Sequence, residues 1–313
     1  MIGTIIGVTA LAFFGIDLSI SGGFQSVVVP AGTENSDRGR AAIAAFNLDD
    51  PLVVRYLKWL FDAAQGDFGR SIRNGDQVVD VLTHRLPITL QLTLGAIVLA
   101  VLVAVPLGIF TATRGQRSSG RIVTALAGLF QSIPVFMTAT ILITIFAVKL
   151  RWLPASGWTR ISNSFWENIE RSAMPTIALA FAEIGIIARV LNASLRSTFG
   201  EDYVAAARAK GLSTRYILFR HALRPASLDV FTLIGLNIGA LMAGAVVVEE
   251  IFGIGGLGRV LLEGSLARDQ YVIMGITTYV AALYVSINTI VDILYAIADP
   301  RIATESDTLA TRI

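Results

Sequence analysis

Six stretches of this chain are long and apolar enough to cross a bilayer: Ile2 to Ile20, Ile88 to Thr113, Ile122 to Val148, Pro175 to Leu195, Val230 to Phe252 and Val272 to Ala298. A hydrocarbon core about 30 Å thick takes about 20 mostly apolar residues per helix. A lipid-exposed segment must also satisfy its backbone polar groups internally. The pattern therefore predicts an all-α, polytopic membrane protein with six transmembrane helices. Composition agrees, since 54% of the 313 residues are hydrophobic and 15% charged, against about 25% charged in soluble domains. The formal net charge of +2 supplies no field for a nucleic acid. The absence of cysteine excludes disulfides, thiolate metal sites and cysteine nucleophiles. His84 and His221 lie too far apart in sequence to suggest a metal cluster.

The first span carries Asp17 and has no Lys or Arg before it, so the basic region of a cleavable signal peptide is absent and the segment reads as a helix. Orientation follows from the short loops. Arg114 to Arg121, Arg196 to Asp229 and the tail after Ala298 hold 3, 6 and 2 basic residues, whereas Lys149 to Met174 and Gly253 to Tyr271 on the other side hold 4 and 2. Both termini are expected in the cytoplasm. The organisation expected is a first helix over 1–20, an extracytoplasmic helical segment over 21–87, a five-helix core over 88–298 with a cytoplasmic loop at 199–225, and a cytoplasmic tail over 299–313.

Within the outer segment, Asp50-Pro51 reads as an N-cap followed by a first-turn proline. Val53, Tyr56, Leu57, Leu60 and Ala64 then recur at helical spacing until Gly66. A second short helix is expected to start at Asp76, to carry Val78, Val79 and Leu82, and to stop before Pro87. These helices either cap the bundle or line an entrance.

The stretch from Gly200 to Pro225 is the most informative. Glu201 and Asp202 suit a helix start, and Gly211 after Lys210 suits its end. Tyr203, Ala206, Ala207 and Lys210 share one face at helical spacing, and small side chains there admit another surface close to the backbone. Ser213 is placed to cap a second helix with an apolar stripe of Tyr216, Phe219 and Leu223, leaving Arg215, Arg220 and Arg224 for anionic headgroups or a partner. The spacing predicts a short rigid helix pair at the cytoplasmic face. By composition alone an interfacial anchor is the favoured reading.

At these residues the sequence resembles the inner-membrane permease subunits of binding-protein-dependent ABC importers, and within them the B-type permease of the dipeptide/oligopeptide family. Ala206, Ala207 and Gly211 match the superfamily's Glu-Ala-Ala loop, with Ala205 in place of its glutamate. The run Glu201 to Leu212 is typical of the peptide branch. The likeness extends over Asn47 to Leu92, Gln131 to Phe136, Trp152 to Gly157, Val246 to Leu257 and Ile290 to Arg301. The family's Pro-Gly-Asp turn after the first span is replaced by Ser-Ile-Ser-Gly-Gly-Phe.

The resemblance implies a type I ABC importer permease fold in a bacterial-type cytoplasmic membrane. It also implies a homologous second permease, two cytoplasmic ATPase subunits that bind ATP and Mg, and an extracytoplasmic substrate-binding protein. Glu201, Asp202, Tyr203, Ala206, Ala207, Arg208, Lys210, Gly211 and Leu212 are then the residues that couple to an ATPase. Short peptides are the implied cargo, with nickel, oligosaccharides or other small solutes as alternatives.

The chain itself has no nucleotide machinery. None of its three lysines, Lys58, Lys149 and Lys210, follows a Gly-x-x-x-x-Gly pattern. Gly253-Ile-Gly255-Gly-Leu-Gly258 fits Gly-x-Gly-x-x-Gly by letter, but it follows a membrane helix rather than a strand, so a turn is expected. Charges inside spans are costly unless paired or wet. Glu183 is expected on the pathway or against a partner's charge, Arg189 to snorkel, and Asp292 to pair with a basic inner loop. Glu249 and Glu250 are candidates for the outer gate. Gln131, Ser132, Asn237 and Asn288 either contact cargo or hold helices together. Pro106 and Pro134 are expected to bend the second and third spans. An ion-coupled transporter would use Glu183 or Asp292 and would leave the cytoplasmic loop idle. A membrane-embedded enzyme would need paired catalytic groups that are not apparent.

Overall fold

The computed structural model describes residues 2–20, 23–29, 32–114, 125 and 128–298, without the side chains of 292 and 294–298. Among the described residues the chain is helical, with a single antiparallel bridge between Arg70 and Gln77. It divides into two compact units, Met1–Thr89 with Gly255–Val285, and Leu90–Ile254 with Ser286–Ile313.

The first unit opens with α1 (Ile2–Ser19), followed by α2 (Gly23–Val28), α3 (Asp37–Ala45) and α4 (Leu52–Ala64). Asp17, the one charge in α1, is put to use, because its carboxylate accepts the Phe24 amide at 3.0 Å in α2. The amphipathic α4 lays Tyr56 and Trp59 against Phe13 of α1, and the Tyr56 hydroxyl reaches the Ile6 carbonyl at 3.0 Å. The start of α4 differs from expectation. Pro51 is itself the cap residue with extended backbone, and Asp50 instead accepts Lys58 Nζ at 2.6 Å. Gly66, at φ 92°, follows the end of α4 as expected.

The expected short helix ending before Pro87 does not exist as a separate element. α5 runs unbroken over Val78–Arg114, 37 residues or about 55 Å. Proline forfeits one backbone hydrogen bond. Here the turns before it pack Val78, Leu82 and Leu86 against Leu257, Val272 and Ile276. The other partners lie on α11 (Leu257–Leu266) and α12 (Gln270–Ala298). α11 stands within the stretch Gly253 to Tyr271 expected as a loop, and its start is held by the Leu257 amide donating to Thr89 Oγ1 at 2.9 Å.

The second unit contains the rest of α5, α6 (Val135–Leu142), α7 (Phe165–Phe199), α8 (Asp202–Ala209), α9 (Thr214–Ile217), α10 (Leu223–Ile251) and the end of α12. α7 begins ten residues before Pro175, at a Ser164-x-x-Glu167 capping pattern in which Ser164 Oγ accepts the Glu167 amide. Small residues bring α5 against α7. Leu92, Ala96, Ala100, Ala104 and Gly108 recur every fourth position and are buried, while Leu94, Val98 and Leu102 are exposed. A Cβ on Gly108 would stand 3.1 Å from the Ala188 carbonyl oxygen. Small side chains at a helix contact are the usual means of close approach in lipid, where van der Waals packing drives association.

Five helical segments among the described residues are long and apolar enough to span: α1, α5, α7, the run Thr214–Ile251 and Gln270–Val291. Of the expected third span, Ile122 to Val148, the described residues show a shorter apolar segment, Val135–Lys149, preceded by helical residues 128–132. Pro134 does not kink it mid-helix; it occupies the cap position of α6 with extended backbone. Pro106 sits inside α5 without interrupting it. The segment finishes in wide π-helical turns over Ile143–Lys149. Most of the Arg114 to Arg121 loop, the tail beyond 298 and the Asp292 side chain lie outside the described residues.

Candidate coupling surface and pathway residues

α7 ends at Phe199, and after Gly200 the chain turns into α8, whose cap residue Glu201 has extended backbone and makes no side-chain cap bond. Asp202 lies in the first turn, where a negative charge suits the helix dipole. The C-terminus is closed by a Schellman motif. The Leu212 amide donates to the Ala207 carbonyl at 3.3 Å and the Gly211 amide to the Arg208 carbonyl at 2.9 Å. Gly211 sits at φ 79°, a conformation that penalises any Cβ. Ser213 then caps α9 by accepting the Tyr216 amide at 3.3 Å, as its position predicts.

The two helices share a small apolar core of Val204, Ala207 and Ile217 packed on Phe199. This divides the face expected from the sequence. Ala207 is buried with Val204 inside the hairpin. Ala205, Ala206 and Ala209 are exposed instead, with Lys210 and half-exposed Tyr203. The Arg208 guanidinium covers Phe199 at 5.9 Å. Tyr203 Oη donates to the His221 carbonyl at 3.5 Å. Burial first, and the Glu201 charge second, push the Tyr203 hydroxyl above its ordinary 10.0, so it remains a donor through mildly alkaline pH.

The second helix also departs from the expected stripe. Ile217, Leu218 and Ala222 are buried, whereas Tyr216 and Phe219 are exposed. Tyr216 and Phe219 lie on the side turned away from the core with Val204 and Ala207. A π-helical stretch over Leu218–Ala222, closed by the Leu223 amide on the Leu218 carbonyl, holds one residue more per turn than an α-helix and takes Leu223 off their line. The exposed Tyr216 and Phe219, with Ser213, Arg215 and Arg220, line an open cleft. The surface presented is thus three alanines on one helix and two aromatic rings on the next.

The pathway candidates separate into groups. Glu183 on α7 and Asn237 on α10 come together, with Asn237 Nδ2 donating to Glu183 Oε2 at 3.4 Å and Glu183 almost fully buried. Asn288 lies against Gly235, where a Cβ would meet its Oδ1 at 3.1 Å. Glu249 is fully buried and Glu250 exposed at the end of α10. Gln131 and Ser132 are exposed just before the Ile133–Pro134 break, and Ser132 Oγ donates to the Gly128 carbonyl at 3.1 Å. Arg189 is exposed on α7.

The glycine-rich run is a turn, with Gly253 at φ 61° and Gly256 capping α11. Two polar clamps escaped the sequence reading. Gln91 and Asn168 exchange amide hydrogen bonds, the shorter at 2.6 Å, and Asn192 Nδ2 donates to Thr111 Oγ1 at 2.7 Å. For the first, an amide four residues after the Ser164 cap was a local signal, but its partner 77 positions away was not.

Residues 104–304 match the family described as binding-protein-dependent transport system inner membrane component. This chain belongs to that family. The membership makes it a multi-pass inner membrane permease that works with ATPase and binding-protein partners in general. Among its relatives, the oligopeptide transport system permease protein AppB of Bacillus subtilis (strain 168) is 36% identical over 95% of both chains. The dipeptide transport system permease protein DppB of the same organism is 36% identical over 88% of this chain and 89% of its own. The oligopeptide transport system permease protein OppB of Salmonella typhimurium is 35% identical over 83% of each. In fold, the inner membrane component is similar to the MetNI methionine ABC transporter in an inward-facing conformation. That likeness has a TM-score of 0.58 and 18% identity over 70% of this chain and 96% of the other. It places the fold among type I ABC importer permeases.

Proposed function

We propose that this chain is one of two homologous permease subunits that form the path for short peptides, driven by two cytoplasmic ATPases and supplied by an extracytoplasmic binding protein. The observation that carries the reading is the hairpin of α8 and α9. It is too short to be stable alone, yet a Schellman turn, a serine cap and a shared apolar core make it one rigid body that leaves three alanines and two rings uncovered. A rigid element with a bare small-residue face suits docking into a cleft of an ATPase, where closure of the ATPase dimer is passed to α7 and α10. ATP and Mg belong to those partners. The peptide cargo is supported by the names of the relatives over nearly their whole length.

Mechanistically, Ala205, Ala206 and Ala209 allow the partner's surface close to the helix backbone, while Val204, Ala207 and Ile217 keep the hairpin from deforming under load. Gly211 and Leu212 fix the angle between its helices. The Glu183–Asn237 pair joins α7 to α10 and moves with them. The deciding experiment is purification of the complex followed by uptake of the ligand carried by its binding protein. Peptide retained by that protein, and uptake that requires ATP, are the results expected. Recovery of the chain without ATPases, or uptake driven by an ion gradient alone, would reject the importer reading. A binding protein loaded with nickel or an oligosaccharide would reject the cargo.

A further inference from the structure

α4 turns apolar residues outward as well as inward. Tyr56 and Trp59 pack on Phe13 of α1 and on Met274, as one face of an amphipathic helix should. A helix in water places its charges on the side away from that core. α4 instead carries Val53, Val54, Leu57 and Phe61 there, all exposed, with Leu57 at 55% and Phe61 at 69%. At about 100° per residue these four share one arc about 100° wide. Lys58, Asp62 and Gln65 follow along one edge of it. On the other edge Leu60, half-buried on the same core, joins the stripe to the contact with α1 without a charged residue between. An interface with a soluble protein has a polar rim around its apolar centre. This stripe has a polar border on one side only.

The level of α4 along α1 is fixed by two hydrogen bonds. Tyr56 Oη lies 3.0 Å from the Ile6 carbonyl oxygen and 2.9 Å from Thr9 Oγ1. Its ring stands 5.5 and 5.7 Å from those of Phe13 and Phe14. All four partners belong to the body of α1, a helix long and apolar enough to span. α4 therefore runs beside the span and not past its end. On the far side of α1 from Thr9 and Phe13, Leu11 and Leu18 are exposed, the surface a spanning helix gives to lipid. The 13 residues of α4 cover about 20 Å, too little to cross a core about 30 Å thick. Its charges suit such a place, because Arg55 is buried and Lys58 Nζ reaches Asp50 at 2.6 Å on the polar edge. A lysine stem can lie along apolar surface while its head stays in the wet boundary.

We propose that α4 is a membrane-embedded foot of the first unit, with Val53, Val54, Leu57 and Phe61 among the acyl chains of the leaflet beside α1 and Lys58, Asp62 and Gln65 at the headgroup boundary. The inference needs only that the chain is a membrane protein, and it is independent of cargo and ATPases. The test exploits the absence of cysteine from the chain. Val53→Cys, Leu57→Cys, Phe61→Cys and, on the polar edge, Gln65→Cys are each labelled with bimane in the intact importer, with its other subunits made cysteine-free, in phosphatidylcholine nanodiscs. All four positions are exposed, where substitution leaves the fold intact. Phosphatidylcholine bearing a nitroxide on its acyl chain should quench the label at 53, 57 and 61 at least twofold more than at 65, and aqueous iodide should show the reverse order. Iodide quenching as strong on the stripe as at 65 would mean that the stripe faces water, and overturns the proposal. Protection of the stripe from both quenchers would mean that the second permease or the binding protein covers it, and equally overturns the lipid contact.

Discussion

At the scale of single residues, the interactions that hold this protein together are few, buried and distant in sequence. Asp269 is the clearest. It is 1% exposed, and it accepts Ser71 Oγ at 2.6 Å, the Ile72 amide at 3.0 Å and the Val272 amide at 3.3 Å. It thus caps α12 and pins the Gly66 to Gly75 loop with one carboxylate. Removing it orphans three donors, so Asp269→Ala should lower stability by about 3 kcal/mol. Ser71→Ala should cost about 1 kcal/mol; both are read as the thermal midpoint of the detergent-solubilised protein. Gly69 shows why such a position tolerates no Cβ. It holds φ 87°, and an added methyl would stand 2.3 Å from the Tyr271 ring. Gly69 was visible in the sequence only as part of a motif; the ring that excludes other residues was not visible at all.

At the scale of elements, the hairpin of α8 and α9 makes two neighbouring alanines inequivalent. Ala206→Glu places a charge on the exposed face and should abolish transport-coupled ATPase stimulation while leaving the thermal midpoint within about 1 °C, as surface substitutions do. Ala207→Glu buries an unpaired charge among Val204, Ile217 and Phe199. It should lower both coupling and the midpoint. Equal behaviour of the two variants would contradict the packing described. Ile217→Ala, which empties the middle of that core, should cost about 2–4 kcal/mol. The sequence showed the caps, the glycine and the small residues because these signals are local. It did not show that Ala207 is buried while Tyr216 and Phe219 are exposed, because burial depends on which side faces Phe199 and the other helix of the hairpin. The π-helical turn at Leu218–Ala222 also breaks the count before Leu223.

At the scale of the whole molecule, membership in the permease family and the apolar helices make this an inner membrane protein. Its orientation follows as a proposal from the basic loops and can be tested directly, since the chain contains no cysteine. A single Ala206→Cys should react with an impermeant maleimide only in inside-out vesicles, and Ala155→Cys, exposed in the loop before α7, only in right-side-out ones. Labelling from the opposite sides would invert the topology and remove the hairpin from any cytoplasmic ATPase. Trp152, Phe165 and Trp166 are all exposed around that loop, as suits a membrane–water interface on either side, so the labelling and not the rings decides the orientation.

What the sequence determined by itself was the solvent and the punctuation. Apolar runs longer than a bilayer is thick demand helices, and serine, proline and glycine at their ends mark most of the turns, because both signals act within a few residues. Tertiary structure alone decided that Pro87 does not end a helix, that Ala207 faces inward and that Glu183 meets Asn237. The first and last are set by neighbours tens of residues away, and Ala207 by how the chain folds back on itself within ten residues; the energy of burying a group depends on those neighbours, which no local pattern records.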